Sequence, residues 1–176
     1  AQKLLTYAKS QRLLITEAIW TRYMPLSKKI NQLIDSGIIG KVTLLTANLG
    51  YVETNIERGM NPNLAGGALL DISIYPINFA SMVFGPQIIK VTSTCVFTDT
   101  GVDAMDSITL CFEDGKMAVL NTTILSRTNR EGIIYGDQGY MVIENINNPG
   151  RVRIFSADQK EIAVYEAPEK ITGYEY

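Results

Sequence analysis

Apolar residues in the first half of the chain recur mainly at helical spacing, and those of the second half mainly alternate with polar ones. Residues 1–11 place Leu4, Leu5 and Ala8 on one helical face, with no capping residue ahead of them. Leu13-Leu14-Ile15 follows as a continuous apolar run, the pattern of a strand buried on both faces in a parallel sheet. One helix and one such strand cannot close a core. Residues 1–18 are therefore expected to be the last α–β unit of a doubly wound domain lying upstream, and residues 19–176 a second domain. Between Pro25 and Asp35, Leu26, Ile30, Leu33 and Ile34 mark an amphipathic helix that Ser36-Gly37 ends. Residues 41–51 read as a strand. A long polar connection over 52–67 then leads to a largely apolar helix over 68–84, and long irregular connections in compact domains are often functional.

Beyond that helix the pattern predicts strands at 91–98, 104–113, 116–126, 133–136, 140–144, 152–156 and 161–166. In the second of these, Ile108, Leu110 and Phe112 alternate with Ser107, Thr109 and Cys111, and Asp114-Gly115 supplies a two-residue hairpin turn. Consecutive hairpins imply an α+β fold: an open, mostly antiparallel β-sheet with its few helices gathered on one face. Thr92, Thr94, Thr122 and Thr123 are assigned to the other face. That face is either solvated or meets a second subunit, so a homo-oligomer through the open sheet face is an expectation. Gly173-Tyr174-Glu175-Tyr176 brings no terminating element, and truncation is expected there as well.

Composition narrows the chemistry. A hydrophobic fraction of 46% and a charged fraction of 19% are those of an ordinary globular protein. With 16 basic and 18 acidic side chains and no long like-charge run, neither nucleic acid nor an anionic membrane is the expected partner. No apolar run suggests a membrane span and no signal-peptide layout opens the chain, so a cytoplasmic location is expected. The sequence has no His and only two Cys, Cys95 and Cys111, each on a predicted strand and expected buried and reduced. No metal site is expected from such a set, and Ser-His or Cys-His nucleophiles are excluded. Acid–base chemistry must fall to carboxylates, Tyr or Lys.

The helix over 68–84 is apolar on most sides but carries Asp71, Tyr75 and Asn78 on one stripe. Two readings stand. Asp71 satisfies the free first-turn N–H groups while Tyr75 and Asn78 bond nearby loops, or the stripe faces a ligand. Gly66-Gly67 ahead of the helix lets backbone approach another molecule closely, and Pro76 should bend the helix beside Tyr75. Such a stripe suits proton transfer to or from a hydroxyl or carbonyl. A phenol, with an ordinary pKa of about 10, needs a nearby cation for that at neutral pH, and no Lys is evidently placed to supply one. Arg58 reads as a solvated loop residue, and Arg127 and Arg130 as surface residues.

Three segments carry a resemblance: Glu17 to Pro25 (EAIWTRYMP), Ile34 to Gly40 (IDSGIIG) and Asn61 to Pro76 (NPNLAGGALLDISIYP). Together they resemble the Gfo/Idh/MocA oxidoreductases, in particular the branch of dihydrodiol and sugar dehydrogenases, and the resemblance runs in order from residue 1 to 176. It implies an N-terminal Rossmann domain binding NAD or NADP outside this chain, followed by an α+β domain whose open sheet often forms the oligomer contact. It also implies that Asp71 and Tyr75 occupy the paired catalytic positions, with Tyr75 exchanging a proton with the substrate oxygen. Asp71 would orient the substrate hydroxyl or tune Tyr75. Trp20, Arg22 and Tyr23 would line the cleft mouth, with Asn78 a further substrate-binding candidate. The family's Gly-rich dinucleotide loop and its Glu-Lys-Pro segment do not occur here, so no cofactor-binding residue is assigned and this chain alone should not turn over. Ser73 stands where Gly is frequent. The expected role is the substrate-side domain of an NAD(P)-dependent oxidoreductase acting on a sugar, polyol or cyclic diol. The alternative is a non-catalytic binding or oligomerisation module of the same fold.

Overall fold

A computed structural model describes residues 2–168, so the expectation at Gly173–Tyr176 lies outside the described residues. Helix α1 (Gln2–Gln11) forms where periodicity predicts it, yet only its Ala8 is buried while Leu4, Leu5 and Tyr7 are exposed. The strand expected at Leu13-Leu14-Ile15 does not form, and Leu14 is 92% exposed. A strand persists only against neighbours that take its backbone hydrogen bonds, and the sheet of this domain offers that run none.

A 3₁₀ turn, Trp20–Tyr23, passes through the buried Met24 into α2 (Pro25–Asp35), which begins on Pro25 and buries Leu26, Ile30 and Leu33. Next come β1 (Val42–Gly50), the single turn α3 (Glu57–Met60) and a 3₁₀ turn, Pro62–Leu64. The predicted apolar helix is irregular at its start. It opens as a π turn, Leu69–Ser73, and continues as α4 (Ile74–Phe84). Pro76 has no N–H to offer the preceding turn, and the wide π turn just ahead of it accommodates that loss. By length and hydropathy the 23-residue stretch Pro62–Phe84 could cross a membrane, but it breaks at Ala65–Gly67 and its Ala68, Ile72, Phe79 and Ala80 belong to the domain core.

The strands are β2 (Ile88–Phe97), β3 (Asp103–Phe112), β4 (Met117–Thr123), β5 (Gly132–Gly136), β6 (Gly139–Glu144), β7 (Arg151–Ser156) and β8 (Glu161–Glu166). They make one sheet in the order β2-β3-β4-β1-β5-β6-β7-β8. Among the described residues β1–β4 is its one parallel pair. The expected fold class holds. Inward residues such as Leu45, Leu49, Leu120, Ile134, Met141 and Ile154 form one core with Ile30 of α2 and Ile72 and Phe79 of the long helix. Phe79 lies so close over β5 that a Cβ on Gly132 would stand 2.7 Å from its ring.

Three details differ from expectation. The turn after β3 has three residues, Glu113 to Gly115, closed by the Phe112 N–H donating to the Lys116 carbonyl at 2.9 Å. Cys95 and Cys111 are free, as expected, but Cys95 is exposed and Cys111 half-buried. Cys95 lies on β2, an edge strand exposed along its whole length, and Cys111 lies on β3 on the face opposite the buried Leu110 and Phe112. Thr122 points to the helices, where it bonds Ser73, and does not belong to the open face. Thr92 and Thr94 do lie opposite that core, lining a shallow hollow with Ser107 and Thr109.

Candidate active site

The loop ahead of the long helix folds on close backbone approach. The Asn61 side chain accepts from the Asn63 N–H, Ala65 takes a left-handed conformation (φ 55°), and the Gly67 N–H donates to the Gly59 carbonyl at 2.9 Å. A Cβ on Gly66 would stand 2.5 Å from the Arg58 carbonyl oxygen, and one on Gly67 (φ +109°) would lie 2.2 Å from Asp103 Oδ1. The glycine pair therefore serves the chain's own packing, where the sequence suggested close approach to another molecule. Asp103, from the start of β3, accepts from the Leu69 N–H at 2.5 Å and so caps the helix. Of the two readings of Asp71, the capping one is taken by Asp103.

Asp71 instead turns to the loop. Arg58 Nη2 lies 2.5 Å from Asp71 Oδ1, with the Asp71 side chain 18% exposed. Glu53, just past β1, reaches the same carboxylate. Its Oε2 is enclosed and has no hydrogen-bond partner if both carboxyls are ionised, because both would then only accept. Burial first, then the hydrogen bond and charge of Asp71, push the Glu53 carboxyl up to about 7, against a downward pull from Arg58. A protonated Glu53 donating to Asp71 reconciles the enclosed oxygen with the contact.

One turn further on, Tyr75 is half-buried with the Trp20 ring edge-on at 6.4 Å. Arg22 and Asn78 explain that approach. Arg22 Nε donates to Asn78 Oδ1 at 2.5 Å, and Asn78 Nδ2 donates to Thr21 Oγ1 at 3.0 Å, which pins the Trp20–Tyr23 turn to α4. Asn78 is 6% exposed and its amide is engaged by these bonds; Tyr23 stands at the surface. The structure thus brings together Trp20 with Tyr75, and Asp71 with Arg58 and Glu53, on successive turns of one helix.

Sequence reading missed several of these groups. Arg58 stays largely exposed, as a solvated residue should, but it also pairs with Asp71. Arg130 was assigned to the surface, yet it donates to the Tyr51 hydroxyl at 3.3 Å with its guanidinium over the ring. Glu53 drew no attention, because nothing in a polar loop marks which carboxyl will be enclosed. Ser73 has a partner that explains it: its hydroxyl donates to the buried Asp106 at 3.0 Å, beside Thr122. Burial raises the Asp106 carboxyl above its ordinary range, while the Ser73 bond lowers it.

A family model for the GFO/IDH/MocA C-terminal domain matches residues 27–142. The chain belongs to this family. Among GFO/IDH/MocA relatives, it is 36% identical over 141 residues to trans-1,2-dihydrobenzene-1,2-diol dehydrogenase of Danio rerio, a match covering 78% of this chain and 42% of that protein. It is 35% identical over 150 residues to D-xylose 1-dehydrogenase (NADP(+)) of Hypocrea jecorina, covering 74% of this chain and 38% of that protein. The fold superposes at a TM-score of 0.85 on a 3-ketoreductase from Actinomadura kijaniata, solved in complex with NADP and TDP-benzene. That match has 21% identity and covers 94% of this chain and 53% of the other. The chain therefore spans about half, or less, of the length of these GFO/IDH/MocA proteins.

Proposed function

We propose that the chain is the substrate-side domain of an NAD(P)-dependent oxidoreductase that moves hydride between a nicotinamide and a carbinol carbon of a sugar, polyol or cyclic diol. The observation that carries this reading is the placement of Asp71 and Tyr75 on successive turns of an irregular helix start, both partly open to solvent. The names of the relatives, a cyclic-diol and a sugar dehydrogenase, support it. Nothing in the chain resembles a dinucleotide-binding loop, and none of its residues is assigned to the dinucleotide. When bound, the nicotinamide accepts or gives the hydride.

In this reading the Tyr75 hydroxyl exchanges a proton with the substrate oxygen, and Asp71 accepts a hydrogen bond from a substrate hydroxyl and orients it. Trp20, held edge-on to Tyr75, limits where that phenol can point and excludes water from one side. Arg58 is engaged with Asp71, so the cation that a phenol needs comes from the nucleotide-binding domain.

Residues 1–18 are assigned to that upstream domain. The exposed Leu4, Leu5, Leu13, Leu14 and Ile15 support this as apolar surface awaiting cover. A homo-oligomer through the open sheet face is supported by its aromatic row, in which Tyr140 stacks on Phe155 at 4.8 Å and Tyr135 lies alongside. Two free thiols, one exposed, suit a reducing compartment such as the cytoplasm. The test is reduction of NADP+ or NAD+ by the full-length protein with trans-1,2-dihydrobenzene-1,2-diol and with D-xylose, Tyr75→Phe alongside. The variant should lose about 10²–10⁴-fold in kcat. A Tyr75→Phe protein with unchanged kcat removes the proton-exchanging role.

A further inference from the structure

Asp71 alone does not account for the arrangement of carboxyls around it. The Glu53 backbone is fixed at both ends, its N–H donating to the Ile124 carbonyl and its own carbonyl accepting from the Ile56 N–H, each at 2.9 Å. Its side chain lies under the α3 turn, so close that a Cβ on Gly59 would stand 3.2 Å from Oε2. Arg58 from that same turn crosses to Asp71. The charged groups acting on Glu53 are Asp71 from the long helix and Arg58 from α3, while the Ile124-Leu125 segment paired beside it brings only apolar side chains. Two carboxylates facing one guanidinium would leave a net negative charge with an enclosed, unpartnered oxygen. One proton on Glu53 makes the trio neutral and supplies the missing donor.

We propose, resting on the oxidoreductase reading above, that Glu53 is a positioning residue of this site: its carboxyl O–H donates to Asp71 and, together with Arg58, holds the Asp71 carboxylate in the orientation that receives the substrate hydroxyl. Loss of that proton replaces a hydrogen bond with a like-charge pair, and Asp71 is released from its orientation. The site is then sensitive to pH on its alkaline side, through a residue that does not touch substrate. Glutamine at this position keeps a neutral donor toward Asp71 at every pH, whereas alanine removes it.

The first measurement is a carboxyl titration of the chain itself by carbon-13 NMR, with Glu53 assigned from the resonance lost in Glu53→Gln. The expected midpoint is about 7, and it should fall in Asp71→Asn. The second is kcat/KM of the full-length protein with NADP+ and trans-1,2-dihydrobenzene-1,2-diol or D-xylose, taken as the ratio of Glu53→Gln to wild type. With nine-tenths of Glu53 ionised one pH unit above its midpoint, that ratio should rise about tenfold between pH 6 and pH 8. Glu53→Ala should raise KM at pH 6, and Glu53→Gln should restore it. A Glu53 titrating in the ordinary carboxylate range, or a flat ratio, overturns the positioning role even if the protein is an active dehydrogenase. A shifted, Asp71-dependent titration without turnover of either substrate instead overturns the dehydrogenase reading, and the positioning role with it.

Discussion

Substituting Gly67 by alanine tests whether the long helix is anchored as described. Two costs arise at that position. The backbone sits at φ +109°, where an L side chain is strained by about 1–3 kcal/mol. The new Cβ would also lie 2.2 Å from Asp103 Oδ1, so Asp103 must move and release the Leu69 N–H. A charge-assisted hydrogen bond of that kind is worth about 1.5–3 kcal/mol. Together the loss is about 3–5 kcal/mol, which for a chain of this size lowers Tm by about 6–20 °C. Urea unfolding followed by circular dichroism, with the m value unchanged, gives the number directly. Asp103→Ala supplies the control: in its background the Gly67→Ala cost should shrink to the backbone strain. A Gly67→Ala protein within about 1 kcal/mol of wild type, or strict additivity of the two substitutions, refutes the anchoring argument.

Other consequences follow from the same geometry. The Glu53 carboxyl rises from 4.5 to about 7 on folding, so its contribution to stability is full below about pH 4.5 and is lost as pH rises through 7. The gap sets a ceiling of about 3 kcal/mol, which solvent screening of this partly enclosed group cuts to about 1–2 kcal/mol. Melting curves from pH 5 to 8 should fall more steeply for wild type than for Glu53→Gln, and parallel slopes would remove the effect. Gly132→Ala drives a methyl against Phe79 and Ile146, at 2.7 and 2.6 Å, and should cost about 1–3 kcal/mol in chemical denaturation; a neutral result means that Phe79 can retreat. Ser73→Ala takes a donor from the buried Asp106 and should cost about 1–3 kcal/mol by the same measurement, with no loss if Thr122 alone satisfies it.

Alternation and turn chemistry made the sheet legible. Ile108, Leu110 and Phe112 face the core as their spacing requires, and the Asp114-Gly115 pair sits in the hairpin predicted for it. Periodicity could not say what stands beside a strand, and the errors come from there. Cys95 is exposed because β2 has a neighbour on one side only, and Leu13 to Ile15 form no strand for want of a neighbouring one. At the site, the stripe of Asp71 and Tyr75 was visible because helix geometry fixes the spacing. Glu53, Arg58 and Asp103 were not, because each comes from a loop, a single helical turn or a strand end whose position depends on how the chain closes over Gly66 and Gly67.

The sheet order has a consequence for how this domain is made. β4 and β5 follow one another along the chain, yet β1 lies between them, parallel to one and antiparallel to the other. The strands of each wing can zip locally, β2 through β4 as one meander and β5 through β8 as another. β1 emerges first and must be held open or inserted late, since a direct β4–β5 hairpin would occupy its slot. Closing the β1–β4 pair joins segments some seventy residues apart, with the long helix and its loop inside the closed circuit. Insertion of β1 is therefore the step expected to limit the folding rate. Because Glu53 follows directly on β1 and Asp71 lies within the circuit, the carboxyl pair assembles only when that strand is seated.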